Sequence, residues 1–227
     1  MTQKTYNQYC PVAHALDLIG DRWAVLIVRN LFTGPKRFSD LQRGLPGLST
    51  NILTVRLKAL EECGLIQTRY LPPPAASSVY ELTEYGLGLE EVLVALARWG
   101  GQSLGEPQPG QIISEESVML LAYQFIKVSV SAEHAAVYVV EIDDELYHGR
   151  VAVQVQGGEF TVQQEIPPAF NLKLHANLST IKSIATGQIT FKRAYADGGV
   201  TVEGSEDEIA GLLAHAEKGN EAFYSKS

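Results

Sequence analysis

KRFSDLQRGLPGLSTNILTVRLKALEECGLIQTRYLPPPAASSVYELT, residues 36–83, is the stretch on which the fold turns. Within it Leu53, Leu57 and Leu60 recur at i, i+4 and i+7, which puts an apolar stripe on one side of a helix. Ser49 stands directly before that run, where its hydroxyl can accept from the unpaired amides of a first turn. Gly64 stands just past its end, at the position where a left-handed residue closes a helix. Gly44, Pro46 and Gly47 make a tight turn to a shorter helix before it. Residues 65–70 and 79–82 have strand composition, and 72–78 between them excludes regular structure. Short helix, turn, longer helix and hairpin outline a winged helix-turn-helix, a mainly α N-terminal domain.

The face of the longer helix opposite the leucines carries Asn51, Val55 and Lys58, with Thr50 and Thr54 on its flank. Short polar side chains and one cation can approach base edges while leaving the helix backbone room in a major groove. An ordinary surface helix also has a polar outer face, so the surroundings carry the argument. Lys36, Arg37, Arg43, Arg56, Lys58 and Arg69 outnumber Asp40, Glu61, Glu62 and Glu81 in the segment, as a phosphate-contacting surface requires. The expected interface to double-stranded DNA is therefore Lys36, Arg37, Arg43, Ser49, Thr50, Asn51, Thr54, Arg56, Lys58 and Arg69, with Ser77 and Ser78 on the wing.

A family resemblance rests on separated motifs in order: Cys10-Pro11-Val12, Leu18-Ile19-Gly20-Asp21-Arg22-Trp23, Gly34-Pro35-Lys36-Arg37-Phe38, Leu57-Lys58-Ala59-Leu60-Glu61, Gly64-Leu65-Ile66 and Tyr80-Glu81-Leu82-Thr83. Over residues 10–101 the chain resembles the HxlR-type transcriptional regulators. The resemblance implies a dimeric repressor or activator whose longer helix enters the major groove of an operator and whose wing touches the backbone or minor groove. One departure is that the family's wing commonly carries an arginine, where Ala75, Ala76, Ser77 and Ser78 offer only hydroxyls and amides.

At 227 residues the chain exceeds one typical domain, and 45% apolar residues suffice for two cores. The net charge of −8 is unevenly placed: residues 1–105 sum to +1 and residues 106–227 to −9, so the acidity lies away from the helix-turn-helix. The N-terminus MTQKTYNQYC is polar and no apolar run approaches the ~20 residues of a membrane helix, so no membrane span and a cytoplasmic protein are expected. Cys10 and Cys63 are too few for a disulfide scaffold. Cys10 precedes Pro11, a residue favoured in a first helical turn, which puts its thiol where partial positive charge stabilises a thiolate. It reads either as a redox or electrophile sensor, a role some members of the resembled family have, or as packing at a dimer contact. Residues 84–102 read as one helix whose Leu87, Leu89, Val92, Leu93, Leu96 and Trp99 make a stripe wide enough for a homodimer contact.

Residues 101–114 are rich in Gly and Pro and separate a domain over 1–105 from one over 112–227, with 106–111 as linker. Beyond it, a helix over 116–128 precedes alternating segments at 137–142, 151–156, 159–165, 170–175, 189–191 and 200–203. Gly157-Gly158 and Asp143-Asp144 read as two-residue hairpin turns, so the sheet is mostly antiparallel. Helices over 178–186 and 206–218, the second opened by a Ser205/Glu208 capping box, complete an α+β domain with helices on one face. From Ala185-Thr186-Gly187 through Val200-Thr201-Val202-Glu203-Gly204 the order is similar to sterol-carrier-protein-like domains, over residues 112–220. That similarity implies an apolar cavity between sheet and helices for a fatty acyl or other lipophilic ligand, with Leu121, Phe125, Tyr138, Phe160, Phe170, Leu172, Ile181 and Ile184 as candidate walls; each equally suits a solid core. A lipid carrier that uses the helix-turn-helix only to dimerise is the rival reading from another class. His14, His134, His148, His175 and His215 lack metal-ligand spacing, no nucleophile or phosphate-loop motif occurs, and neither a cofactor nor enzymatic chemistry is expected.

Overall fold

The structure, a computed structural model, describes residues 5–74, 76–130, 133, 135–163 and 165–224, with side chains as far as Ala216. Ala75 and His134, named above, lie outside the described residues. The chain forms two compact units, residues 1–93 and 94–227.

In the first unit, α1 (Pro11–Ile19), α2 (Ala24–Phe32), α3 (Phe38–Gly44) and α4 (Thr50–Glu62) precede the hairpin β1 (Ile66–Leu71) and β2 (Ser77–Leu82). The leucine stripe does what its spacing requires: Leu53, Leu57 and Leu60 are buried against Ile27, Val28 and Leu31 of α2 and Leu41 of α3. Each such side chain contributes about 1.5–3 kcal/mol relative to exposure. Leu45 and Leu48 bury the two ends of the turn, so the α3–α4 angle is set by packing as well as by Gly47. At the end of α4, Gly64 adopts φ +70° while its amide donates to the Glu61 carbonyl and the Leu65 amide to Leu60, the paired closure of a Schellman motif. Antiparallel pairing runs from Ile66 opposite Leu82 to Leu71 opposite Ser77 and forms the wing hairpin.

The helix expected over 84–102 is two helices. Thr83 caps α5 (Glu84–Leu87), its hydroxyl accepting from the Gly86 amide at 3.1 Å and donating to the Gly64 carbonyl at 2.6 Å. Gly86 passes so close to the Leu65 carbonyl that a Cβ would lie 2.0 Å from its oxygen, which demands glycine there. The chain then turns at Gly88 and resumes as α6 (Glu90–Gly101), which carries the division between the units.

In the second unit, α7 (Glu115–Ser129) precedes β3 (Ala136–Asp143), β4 (His148–Gln156), β5 (Glu159–Gln163), β6 (Leu172–Ala176), α8 (Leu178–Ala185), α9 (Phe191–Ala196), β7 (Val200–Glu203) and α10 (Glu206–Tyr224). The strand order is β5-β4-β3-β6-β7, antiparallel except for the β3–β6 pair. Alternation separates the faces. Val151, Val153, Val155, Leu172 and Leu174 are buried, while Glu141, Lys173, His175 and Glu203 form an ion-pair ladder on the other side. Most of α7 is buried, as expected of a helix apolar nearly all round, and it packs on β4, β5, α8 and α10.

Two expectations need correction here. Residues 189–191 are not a strand: the Thr190 hydroxyl accepts from the Arg193 amide and opens α9. Asp143 pairs with His148, so the β3–β4 turn has four residues rather than two. The cause is Asp144, whose carboxylate accepts from the amides of Leu146, Tyr147 and Leu178 and so needs the wider turn. The Gly/Pro segment follows α6 within the second unit. The Gln188 side chain donates to the Gly101 carbonyl and Lys182 to that of Gly105, which lays the segment along α8 inside the second unit.

Candidate functional site

Helix α4 presents Thr50, Asn51, Thr54, Val55 and Lys58 as one exposed face, opposite Leu53, Leu57 and Leu60. The Ser49 hydroxyl accepts from the Ile52 amide at 3.4 Å and leaves the remaining first-turn amides available to an anion. Thr54 donates to the Thr50 carbonyl at 2.9 Å. Lys58 lies 3.7 Å from Glu62, with both side chains more than half exposed. Such a pair contributes little, so a phosphate can replace Glu62 at small cost. Arg43, in the last turn of α3, is 79% exposed and only loosely placed near Asp40. Arg37 is exposed at the N-cap of α3, with its amide donating to Asp40.

Other expected contacts are placed differently. Arg56 donates to Asp21 at 2.6 Å with both side chains about one-third exposed, which ties α4 to the α1–α2 turn. Lys36 is buried, and its backbone bonds Tyr80 in both directions, adding a bridge to the edge of the hairpin. Arg69 is held on β1 by Glu81 at 2.7 Å. The Arg69 hydrogen bond, then that of Gln67, keeps the Glu81 carboxyl below the usual carboxylate range. Ser77 is half-buried in the hairpin, whereas Ser78 is exposed beside the tip. Ile52 was missed: it is 42% exposed beside Val55, and apolar side chains on a reading helix suit thymine methyls. Its signal in the sequence is that it falls off the leucine stripe.

Cys10 is the N-cap residue of α1 in extended conformation and is half-buried, while Cys63 packs against the first core; neither is in a disulfide. Val92, Leu96 and Trp99 recur at i, i+4 and i+7 on α6 and are exposed, as are Tyr9, Val12 and Leu16 at α1.

The second unit contains a cavity of about 350 Å³. One wall is the Gly/Pro segment, from Leu104 to Pro107 and from Gln111 to Ile113; the others are Ser117, Val118 and Leu121 of α7, Leu146 of the β3–β4 turn, and Leu178, Ser179 and Lys182 of α8. Of the eight candidate wall residues only Leu121 lines it. Phe125, Leu172, Ile181 and Ile184 are at most 2% exposed and fill the sheet–helix interface, Phe125 packing on Phe191. Tyr138 is buried there as well, Phe160 meets Tyr123 edge-on, and Phe170 is exposed. The cavity lies instead where the Gly/Pro segment meets α7 and α8. Among the described residues no group of three or more His, Cys, Asp or Glu is arranged to hold a metal, and no helix is long and apolar enough to cross a membrane.

Hairpin, capped reading helix and exposed polar face define a winged helix-turn-helix DNA-binding protein. The HxlR-like helix-turn-helix family model matches residues 18–108. The HTH-type transcriptional regulator YodB of Bacillus subtilis (strain 168) is 35% identical over 111 residues, 48% of this chain and 96% of YodB. An uncharacterized HTH-type transcriptional regulator, sll1512, of Synechocystis sp. (strain ATCC 27184 / PCC 6803 / Kazusa) is 38% identical over 95 residues, 42% of this chain and 70% of that protein. A solved structure of the redox regulator HypR in its oxidized form is 31% identical and covers 41% of this chain and 97% of HypR, with a TM-score of 0.39. The chain belongs to the HxlR-like helix-turn-helix family of transcriptional regulators.

Proposed function

We propose that the protein regulates transcription as a homodimer that places α4 in the major groove of an operator and answers to an apolar small molecule held in its second unit. The observation that carries the DNA-reading part is the exposed Thr50–Asn51–Thr54–Lys58 face of α4, rigidly backed by three buried leucines. A dimer accords with the exposed apolar stripe of α6, since scattered surface apolars are ordinary but a contiguous helical stripe marks a contact. The sterol-carrier-protein-like reading of residues 112–220 draws on the five-stranded sheet with one parallel pair and the helices packed on it; the apolar cavity lies outside the sheet–helix interface that this reading called for. Footprinting of the full chain on its own promoter region tests the regulator reading: protection over two half-sites, about one helical turn or a multiple apart, is expected. Protection without sequence preference would leave the carrier reading in place.

A second reading assigns sensing to Cys10, whose position before Pro11 puts the thiol at a helix N-terminus. Iodoacetamide should then modify Cys10 near neutral pH well before Cys63, and Cys10→Ser should remove any oxidant effect on operator binding. Slow alkylation would reduce Cys10 to packing.

A further inference from the structure

The cavity in the second unit is apolar in most of its wall, yet it holds one cation. Lys182 lines the cavity edge with a side chain that is only 13% exposed. Its ammonium donates to the Gly105 carbonyl oxygen at 2.8 Å and lies 3.7 Å from the Glu106 carboxylate, which is itself 70% exposed. Burying an ammonium favours a closely held anion, and Glu106 supplies one only at the distance of a loose ion pair. Around this cation Leu104, Ile112 and Leu146 are more than half exposed, so three large apolar side chains at the rim are left partly uncovered. The volume, about 350 Å³, is at the low end of the ~300–1,000 Å³ of small-molecule sites.

From these features, and resting on the proposal that the second unit takes an apolar effector, we infer that the ligand is an amphipathic monoanion. Its apolar body lies between the Gly/Pro segment and Leu121, Leu146 and Leu178, and its carboxylate takes the place of Glu106 beside Lys182. Glu106 is then an internal stand-in for the ligand head group. It lowers the affinity for an acid by competing for Lys182, and as part of the cavity wall it is displaced when an acid binds.

Decanoate and decanol separate the ligand class from the existence of the site. Titration calorimetry on the full chain should show both binding, with decanoate favoured at least about tenfold at neutral pH, the scale of one charge-assisted contact. Lys182→Met keeps the apolar stem and should collapse the acid-over-alcohol ratio to near one, while Glu106→Gln should raise decanoate affinity and leave decanol unchanged. Equal binding of acid and alcohol by the unaltered chain, or a ratio untouched by Lys182→Met, overturns the monoanion assignment and leaves the apolar site standing. Absence of binding by both probes overturns the effector proposal together with it.

Discussion

Asn51 and Lys58 share one exposed face of α4 but should fail differently when altered. An amide at Asn51 can bond a base edge in two directions, so Asn51→Ala should cost about 1–3 kcal/mol on the operator and much less on unrelated DNA. Lys58→Ala should weaken all sequences alike and reduce the salt slope of log affinity by about 1. Competition binding at several salt concentrations distinguishes the two, and an unaltered operator preference in Asn51→Ala would mean that another face reads the bases. Arg56 is the control, because its guanidinium is committed to Asp21. Arg56→Met should lower the melting temperature, by no more than about 1 kcal/mol of stability for a partly exposed pair, and leave the operator affinity of the folded protein within about twofold.

At the scale of elements, two carboxylates hold strands and helices in place. The Glu81 carboxyl is held below its ordinary value by Arg69 first and Gln67 second, so the folded wing binds its proton less readily than the unfolded chain does. The resulting stability is present at neutral pH and disappears as pH falls from the ordinary carboxylate value through the lowered folded one. A carboxyl titration by NMR should find the Glu81 midpoint below that of an exposed glutamate, and Arg69→Gln should move it upward. Asp144 sits where burial pushes its carboxyl up, but the amides of Leu178, Leu146 and Tyr147 outweigh burial, and the net shift is downward. Asp144→Ala leaves three amides without their acceptor, one of them in the first turn of α8, and should cost about 1–2 kcal/mol in denaturant unfolding. Asp144→Asn, which retains one acceptor oxygen, should recover part of that loss.

For the molecule as a whole, the cavity of the second unit is walled in part by residues 104–107 and 111–113, which follow α6 along the chain. An effector changes operator affinity only through a difference in its own affinity for the DNA-competent and DNA-incompetent states. Saturating decanoate should therefore shift operator affinity of the full chain by about 1–3 kcal/mol, with operator DNA shifting decanoate affinity by the same factor. No shift in either direction would make the second unit a passenger. Much of this organisation is legible in local sequence. The leucine period of α4, its Ser49 and Gly64 ends, the hairpin, the helix over 115–129 and the Gly157-Gly158 turn all follow from side-chain spacing and from backbone conformations few residues tolerate. What failed was decided by partners far along the chain. Asp144 widens its turn to reach the Leu178 amide, Arg56 pairs with Asp21 across the α1–α2 turn, and Lys36 bridges Tyr80 through its backbone. The cavity belongs to the same class. Alternation and periodicity in the sequence determine which side chains turn inward, but how completely they fill the interior depends on the shapes of facing elements. Here Phe125, Leu172, Ile181 and Ile184 are buried, and a cavity lies beside residues 104–107 and 111–113, whose composition reads as a linker.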